Sequence, residues 1–187
     1  MLELVIFPDA RLRQVSKPIK CINKEIITLL DDMLNLMRRS SGIGLAGIQV
    51  GYQLRLVVIE LSSSELEETS TEQTETTNSA YNNAGPLFLI NPRVTWCSTE
   101  RSIHTEGCLS IPGYFSEVER PSRVKVSYYD RNTTKQELEA DGLLAVCVQH
   151  ELDHLDGRLF IDLIPNEKRR DIIAKIHLNH TKKKQSS

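Results

Sequence analysis

Leu143-Leu144-Ala145-Val146-Cys147-Val148-Gln149-His150-Glu151-Leu152-Asp153-His154 runs six apolar residues directly into a group holding two histidines and two acids. Asp141 can cap the start of this run and Gly157 can stop it, which frames a helix over residues 142–156. A helix that is apolar on every side is a buried one. Polar side chains carried into a core are costly unless they are hydrogen-bonded or bound to a metal. His150 and His154 stand four residues apart, on one helix face, where they can grip a single ion. Glu151 follows the first histidine, a placement that brings its carboxylate to a water held by that ion without making it a ligand.

Two histidines leave a catalytic site one ligand short. The extended zinc-protease pattern fails here, because Gly157 fits but Phe160 stands where a third histidine belongs. Glu167, the downstream acid that a glutamate-type protease would use, follows Pro165-Asn166 too closely for an easy reach. Upstream lies Thr105-Glu106-Gly107-Cys108-Leu109-Ser110-Ile111-Pro112-Gly113, read as an irregular segment from which the Cys108 thiolate can turn toward the helix. One Cys and two His leave a fourth position open for water, the layout of a catalytic site. His104 is a rival, read as a surface or supporting residue. Cys147, three positions before His150, could face the ion but is read as lining the apolar wall beside it. A third segment, Gly42-Ile43-Gly44-Leu45-Ala46-Gly47-Ile48-Gln49-Val50, has glycines that permit close approach of another chain. Its Gln49 is an amide in an apolar run and needs a partner if buried.

Around these segments the pattern is α+β. Ile26, Ile27, Leu29, Leu30, Met33, Leu34 and Met37 fall at helical spacing between Asn23 and Ser40, an early amphipathic helix. Strands are expected at 54–61, 86–94, 116–119, 123–130 and 136–139, with a turn at Asp130-Arg131-Asn132. Residues 62–85 carry five acids and no Lys or Arg, a composition that reads as a mobile acidic insertion. The chain of 187 residues is thus expected to form one domain over 1–165, followed by a C-terminal helix and basic tail over 166–187. With a net charge of −2, no global basic field argues for DNA. No apolar run reaches the length of a membrane span, and the start lacks a secretory signal, so a cytoplasmic protein is expected. Four sparse cysteines, Cys21, Cys97, Cys108 and Cys147, argue against a disulfide framework.

Taken together, Gly42-Ile43-Gly44-Leu45-Ala46-Gly47-Ile48-Gln49, Glu106-Gly107-Cys108-Leu109-Ser110 and Gln149-His150-Glu151-Leu152-Asp153-His154-Leu155 resemble the three motifs of the peptide deformylases, in order. Pro8-Asp9-Ala10-Arg11-Leu12 is similar to that family's opening. Gly47 departs from the usual alanine, and a helical Gly costs about 1 kcal/mol against Ala, so a looser segment is expected there. The resemblance implies small, mainly antiparallel sheets around a buried central metal-binding helix. It implies removal of the N-formyl group from the initiator methionine of nascent polypeptides. Cys108, His150 and His154 would bind one divalent ion, with Fe2+ expected and Zn2+, Ni2+ or Co2+ able to substitute. The donor set read alone points to zinc. Glu151 would be the general base, and the Gln49 amide with the Leu109 backbone N–H would stabilise charge on the formyl oxygen. Substrate would lie along Gly42, Ile43 and Gly44, with Leu143, Val146 and Cys147 around the methionine side chain. Glu106 and Arg120 would support the Cys108 loop. The basic C-terminal segment is a candidate contact to the ribosome, set against a plain solvated tail. The competing readings are a zinc metalloprotease and a non-catalytic metal-binding domain.

Overall fold

In the computed structural model, which describes residues 2–62 and 85–185 with side chains through residue 178, the Asn23 side chain accepts a hydrogen bond from Ile26 N at 3.0 Å. That cap starts helix α1 (Lys24–Arg39) by satisfying one of its free N–H groups. Leu29, Leu30, Met33, Leu34, Leu36 and Met37 form its buried stripe. They pack on one face of an antiparallel sheet built from β1 (Gly44–Ala46), β2 (Leu56–Ile59), β3 (Leu87–Cys97), β6 (Arg123–Tyr129) and β7 (Lys135–Asp141). The strand order is β1-β2-β3-β6-β7. The expected turn closes the β6–β7 hairpin, with Asp130 Oδ1 accepting from the backbone N–H of Asn132 and Thr134.

Helix α2 (Gly142–Leu155) covers the opposite face. In β2, Leu56 and Val58 face α1 while Val57 and Ile59 face α2, the two-residue alternation of a strand buried on both sides. Leu144, Ala145, Val148, Leu152 and Leu155 of α2 pack with Leu89, Val124 and Val126 of the sheet. Each large apolar side chain buried there contributes about 1.5–3 kcal/mol, and this seats the polar residues of the same helix. Gly157 ends α2 with φ +72°, and a Cβ there would lie 2.5 Å from the Arg13 carbonyl oxygen. Glycine is needed twice over, for the left-handed backbone and for the close approach.

The ribbon of β4 (Arg101–Cys108) and β5 (Ile111–Pro121) forms a second, two-stranded sheet. Ile111 and Val118 of this ribbon pack with Val5, Phe7, Phe160 and Ile161, and with Ile172 and Ile176 of helix α3 (Asn166–Gln185). The first turns of α3 are therefore core. Strand β4 lies where none was expected, β1 begins at Gly44, where the resemblance implied only a strand edge for substrate around Ile43 and Gly44, and β5 is far longer than residues 116–119. The segment 105–113 is not irregular but the closed end of this ribbon. Its apolar pattern hid it: Ile103 of β4 is 64% exposed while Glu106 is buried. Gly47 is fully packed, with Leu54 O and Tyr52 O closing on the space of a Cβ, so the looser segment expected there is instead tight. The acidic insertion falls almost wholly outside the described residues. Among the described residues no helix is long and apolar enough to cross a membrane.

Candidate active site

Between Gly107 and Cys108 the β4–β5 register slips, and a bulge of this kind re-aims the side chain at its rim. Cys108 Sγ comes to 3.2 Å from His154 Nε2. Donor atoms of Cys108, His150 and His154 all lie within 4.8 Å of one another. The two rings meet edge to face with centroids 5.0 Å apart, as the spacing of four on α2 requires. A thiol and two imidazoles this close are a donor set suited to a divalent transition metal. Buried His154 Nδ1 and Glu151 Oε2 have no hydrogen-bond partner among the described residues. The rivals fall away: His104 is half-buried on β4 outside this trio, and the Cys147 thiol points at Ile43 O, 3.7 Å away.

Behind the trio is a buried charge network. His150 Nδ1 is 2.8 Å from Glu106 Oε2. Arg120 donates to both oxygens of Glu106 at 2.5 and 3.0 Å, and to Asp153 at 2.8 Å. Arg158 reaches the other Asp153 oxygen at 2.7 Å. An Nδ1–H held by Glu106 fixes the His150 ring and leaves Nε2 as a donor to a metal. Burial would raise the Glu106 pKa, but the bonds from His150 and Arg120 outweigh it and hold the carboxylate below its usual range. Arg120 is likewise penalised by burial and yet pushed up by Glu106 and Asp153. The resemblance paired Glu106 with Arg120; Asp153 was missed, although an acid inside an apolar helix was itself the signal.

Gln49 is 1% exposed. Its Oε1 accepts from Ala46 N at 2.8 Å, while Nε2 donates to Ser110 Oγ at 3.2 Å and lies 3.5 Å from Cys108 Sγ. The amide is thus pinned by its oxygen with its N–H edge toward the Cys108 loop. Both segments are tied to the start of the chain, because Val5 N donates to Gln49 O and Phe7 N to Ser110 O. The apolar run at Leu4-Val5-Ile6-Phe7 was the available signal for this strap, and sequence reading passed over it.

These pieces enclose a cleft of about 580 Å³. Every expected substrate residue, Gly42, Ile43, Gly44, Leu143, Val146 and Cys147, lines it, together with Leu109, Gln49, Cys108, His150 and Glu151. His154 sits beneath, 1% exposed, and Arg120 sits behind. Leu4, Ile6, Tyr114 and Phe115 also line the cleft and were not foreseen. Glycine at 44 has a steric reason: a Cβ there would collide with Glu151 Oε1 and lie 2.9 Å from Cys147 Sγ. Burial pushes the Glu151 carboxyl up to about 7, with His150 and Arg120 opposing and Glu106 and Asp153 adding to the rise. Burial, followed by the positive neighbours His150 and Arg120, keeps His154 well below the usual histidine range.

A cleft of this make-up has counterparts. The family model for polypeptide deformylase matches residues 1–170. A peptide deformylase of Bartonella tribocorum is 49% identical over 175 residues, covering 94% of this chain and 90% of the relative. The crystal structure of peptide deformylase from Ehrlichia chaffeensis superposes with a TM-score of 0.85 at 36% identity, covering 98% of each chain. A second structure of that protein, in complex with actinonin, gives 0.84 at 36% identity, covering 96% of this chain and 97% of that one. Likeness of sequence and of backbone over nearly the whole length has one reading: this chain belongs to the polypeptide deformylase family.

Proposed function

We propose that this chain removes the N-formyl group from the initiator methionine of newly made polypeptides, releasing formate, in the cleft floored by His150 and Glu151. The observation that carries the reading is the trio Cys108, His150 and His154 within 4.8 Å of one another, beside a buried carboxylate, Glu151, with an oxygen that has no hydrogen-bond partner among the described residues. Cys108, His150 and His154 would hold one divalent ion, ferrous iron by family resemblance, with zinc, nickel or cobalt as substitutes. Such an ion, when bound, supplies Lewis acidity that lowers the pKa of water and polarises a carbonyl.

The remaining work falls to the chain itself. Glu151 takes a proton from the attacking water and returns it to the amine as the C–N bond breaks. The Gln49 Nε2–H2 edge and the Leu109 backbone N–H donate to the formyl oxygen as charge develops there. Gly42, Ile43 and Gly44 offer a strand edge to the nascent peptide. Leu143, Val146 and Cys147 form the apolar wall for methionine. Glu106 and Arg120 act at one remove, by orienting His150. Formylated chain starts are the substrates, and the cytoplasm is the setting that this reading gives the protein.

The test is formate release from formyl-Met-Ala-Ser by anaerobically prepared, iron-loaded protein. Rapid release without cleavage of internal peptide bonds is expected. No release from fully loaded protein rejects the reading. Gly44→Ala probes the fit of the site. A methyl group in the space of Glu151 Oε1 moves the carboxylate, and a displacement on the order of 1 Å costs about 10²-fold in rate. The expected result is a fall of that size in kcat at full metal content; an unchanged kcat shows that the carboxylate has room to spare.

The ribosome contact is assigned to α3. Ile172 and Ile176 face the core while Lys168 and Arg170 are exposed, so charge can be altered without unpacking the helix. Lys168→Glu with Arg170→Glu is expected to lower co-sedimentation with ribosomes, most clearly at low salt. Undiminished co-sedimentation removes these residues from that role.

A further inference from the structure

The stripe of α2 opposite the active site, Gln149, Leu152, Asp153 and Asp156, forms the wall of a second cleft, of about 440 Å³. Five arginines line it: Arg55, Arg93, Arg101, Arg120 and Arg158. Against them stand three carboxylates, Glu119, Asp153 and Asp156. Arg120 is neutralised from outside the cleft by Glu106, so the lining is net positive by one charge in a chain whose total is −2.

The arginines are not equally committed. Arg120 is buried and spent on Glu106 and Asp153. Arg55 holds Asp156 and the Pro92 carbonyl. Arg101 donates to the Glu119 backbone carbonyl at 3.1 Å and has only a long 3.6 Å contact to the Glu119 carboxylate, with both side chains about half exposed. Arg158 is 57% exposed and shares Asp153 with Arg120. Arg93 has no ion-pair partner among the described residues. An exposed pair such as Arg101–Glu119 contributes about 0–1 kcal/mol, so Arg101 can turn to a better acceptor at little cost, while Arg158 stays anchored on the buried Asp153 with more than half of its side chain exposed. Phosphate is that acceptor, since its oxygens match the guanidinium fork two at a time.

We propose that this second cleft binds a phosphate group, held by Arg93, Arg101 and Arg158. The site does not depend on the deformylase reading, and none of these three residues lines the catalytic cleft. The phosphate can belong to a small free anion or to the backbone of RNA, and the two sources are separable by experiment. Metal-loaded, full-length protein is titrated with inorganic phosphate by calorimetry, and in parallel with a fluorescently labelled single-stranded RNA by anisotropy. The comparison is the double variant Arg93→Gln, Arg101→Gln, both positions being exposed and remote from the metal trio. Its formate release and thermal midpoint are expected to match the wild type.

Saturable phosphate binding that weakens at least about tenfold in the variant supports the proposal with a free anion as ligand. RNA binding that weakens by that factor and steepens with falling salt, without saturable phosphate binding, supports it with a phosphodiester as ligand. Binding of neither probe to the wild type overturns it. So does a variant that loses less than about tenfold for both, since the anion is then held elsewhere.

Discussion

Glu151→Gln is expected to bind a full equivalent of metal and to release formate about 10²–10⁴-fold more slowly than the wild type, the range over which a positioned general base acts. The substitution keeps the shape of the side chain, so it still fits the space left by the missing Cβ of Gly44. The proton acceptor is lost and little else changes. The three expected donors to the ion, Cys108, His150 and His154, are untouched. Metal analysis alongside single-turnover formate release checks the prediction. A loaded variant within about tenfold of the wild-type rate would hand the proton transfer to another group, because an effect that small lies below what a general base contributes.

The largest effect on stability is expected from Arg120→Met. Methionine fills much of the same space but leaves Glu106 and Asp153, 5% and 6% exposed, without their shared cation. Breaking a buried pair in this way costs about 3–5 kcal/mol, a large share of the 5–15 kcal/mol typical of a whole domain. Urea unfolding of the metal-stripped proteins measures it without the contribution of bound ion. The same variant has a second readout. With Glu106 no longer held, His150 is less well oriented, and metal affinity is expected to fall about 10–100-fold. A stability loss under about 1 kcal/mol would mean that Arg158 or solvent takes over the charge.

The parts of the molecule that were legible in the sequence are those written in side-chain spacing. The stop of α2 at Gly157, the stripe from Leu29 to Met37, and the His150–Glu151–His154 constellation are local patterns that a few residues define. Cys108 was reachable by counting ligands. β1 and β4 were not legible. β1 is three residues long and exists because it pairs with β2, and β4 presents an isoleucine to solvent while burying a glutamate. The strap at residues 4–7 acts through backbone N–H groups, which every residue but proline carries, so only the apolar run Leu4-Val5-Ile6-Phe7 marked it in the sequence. Asp153 was visible only as an anomaly, since its partner Arg120 lies far away in sequence, on β5.

That strap has a consequence for how the protein comes into being. Val5 pairs with Gln49, Phe7 with Ser110, Ser16 with Leu155, and Cys108 faces His154. A chain emerging from its N-terminus can close the first of these links early, but the last two only when its last quarter is being synthesised. Until then the Cys108 thiol has neither imidazole to share an ion with, and metal capture must wait for folding of almost the entire domain. Folding is correspondingly weighted toward long loops closed late, the arrangement that slows two-state folding. A truncated product ending before α2 would therefore be both unfolded and metal-free, so partially made chains carry no stray hydrolase activity.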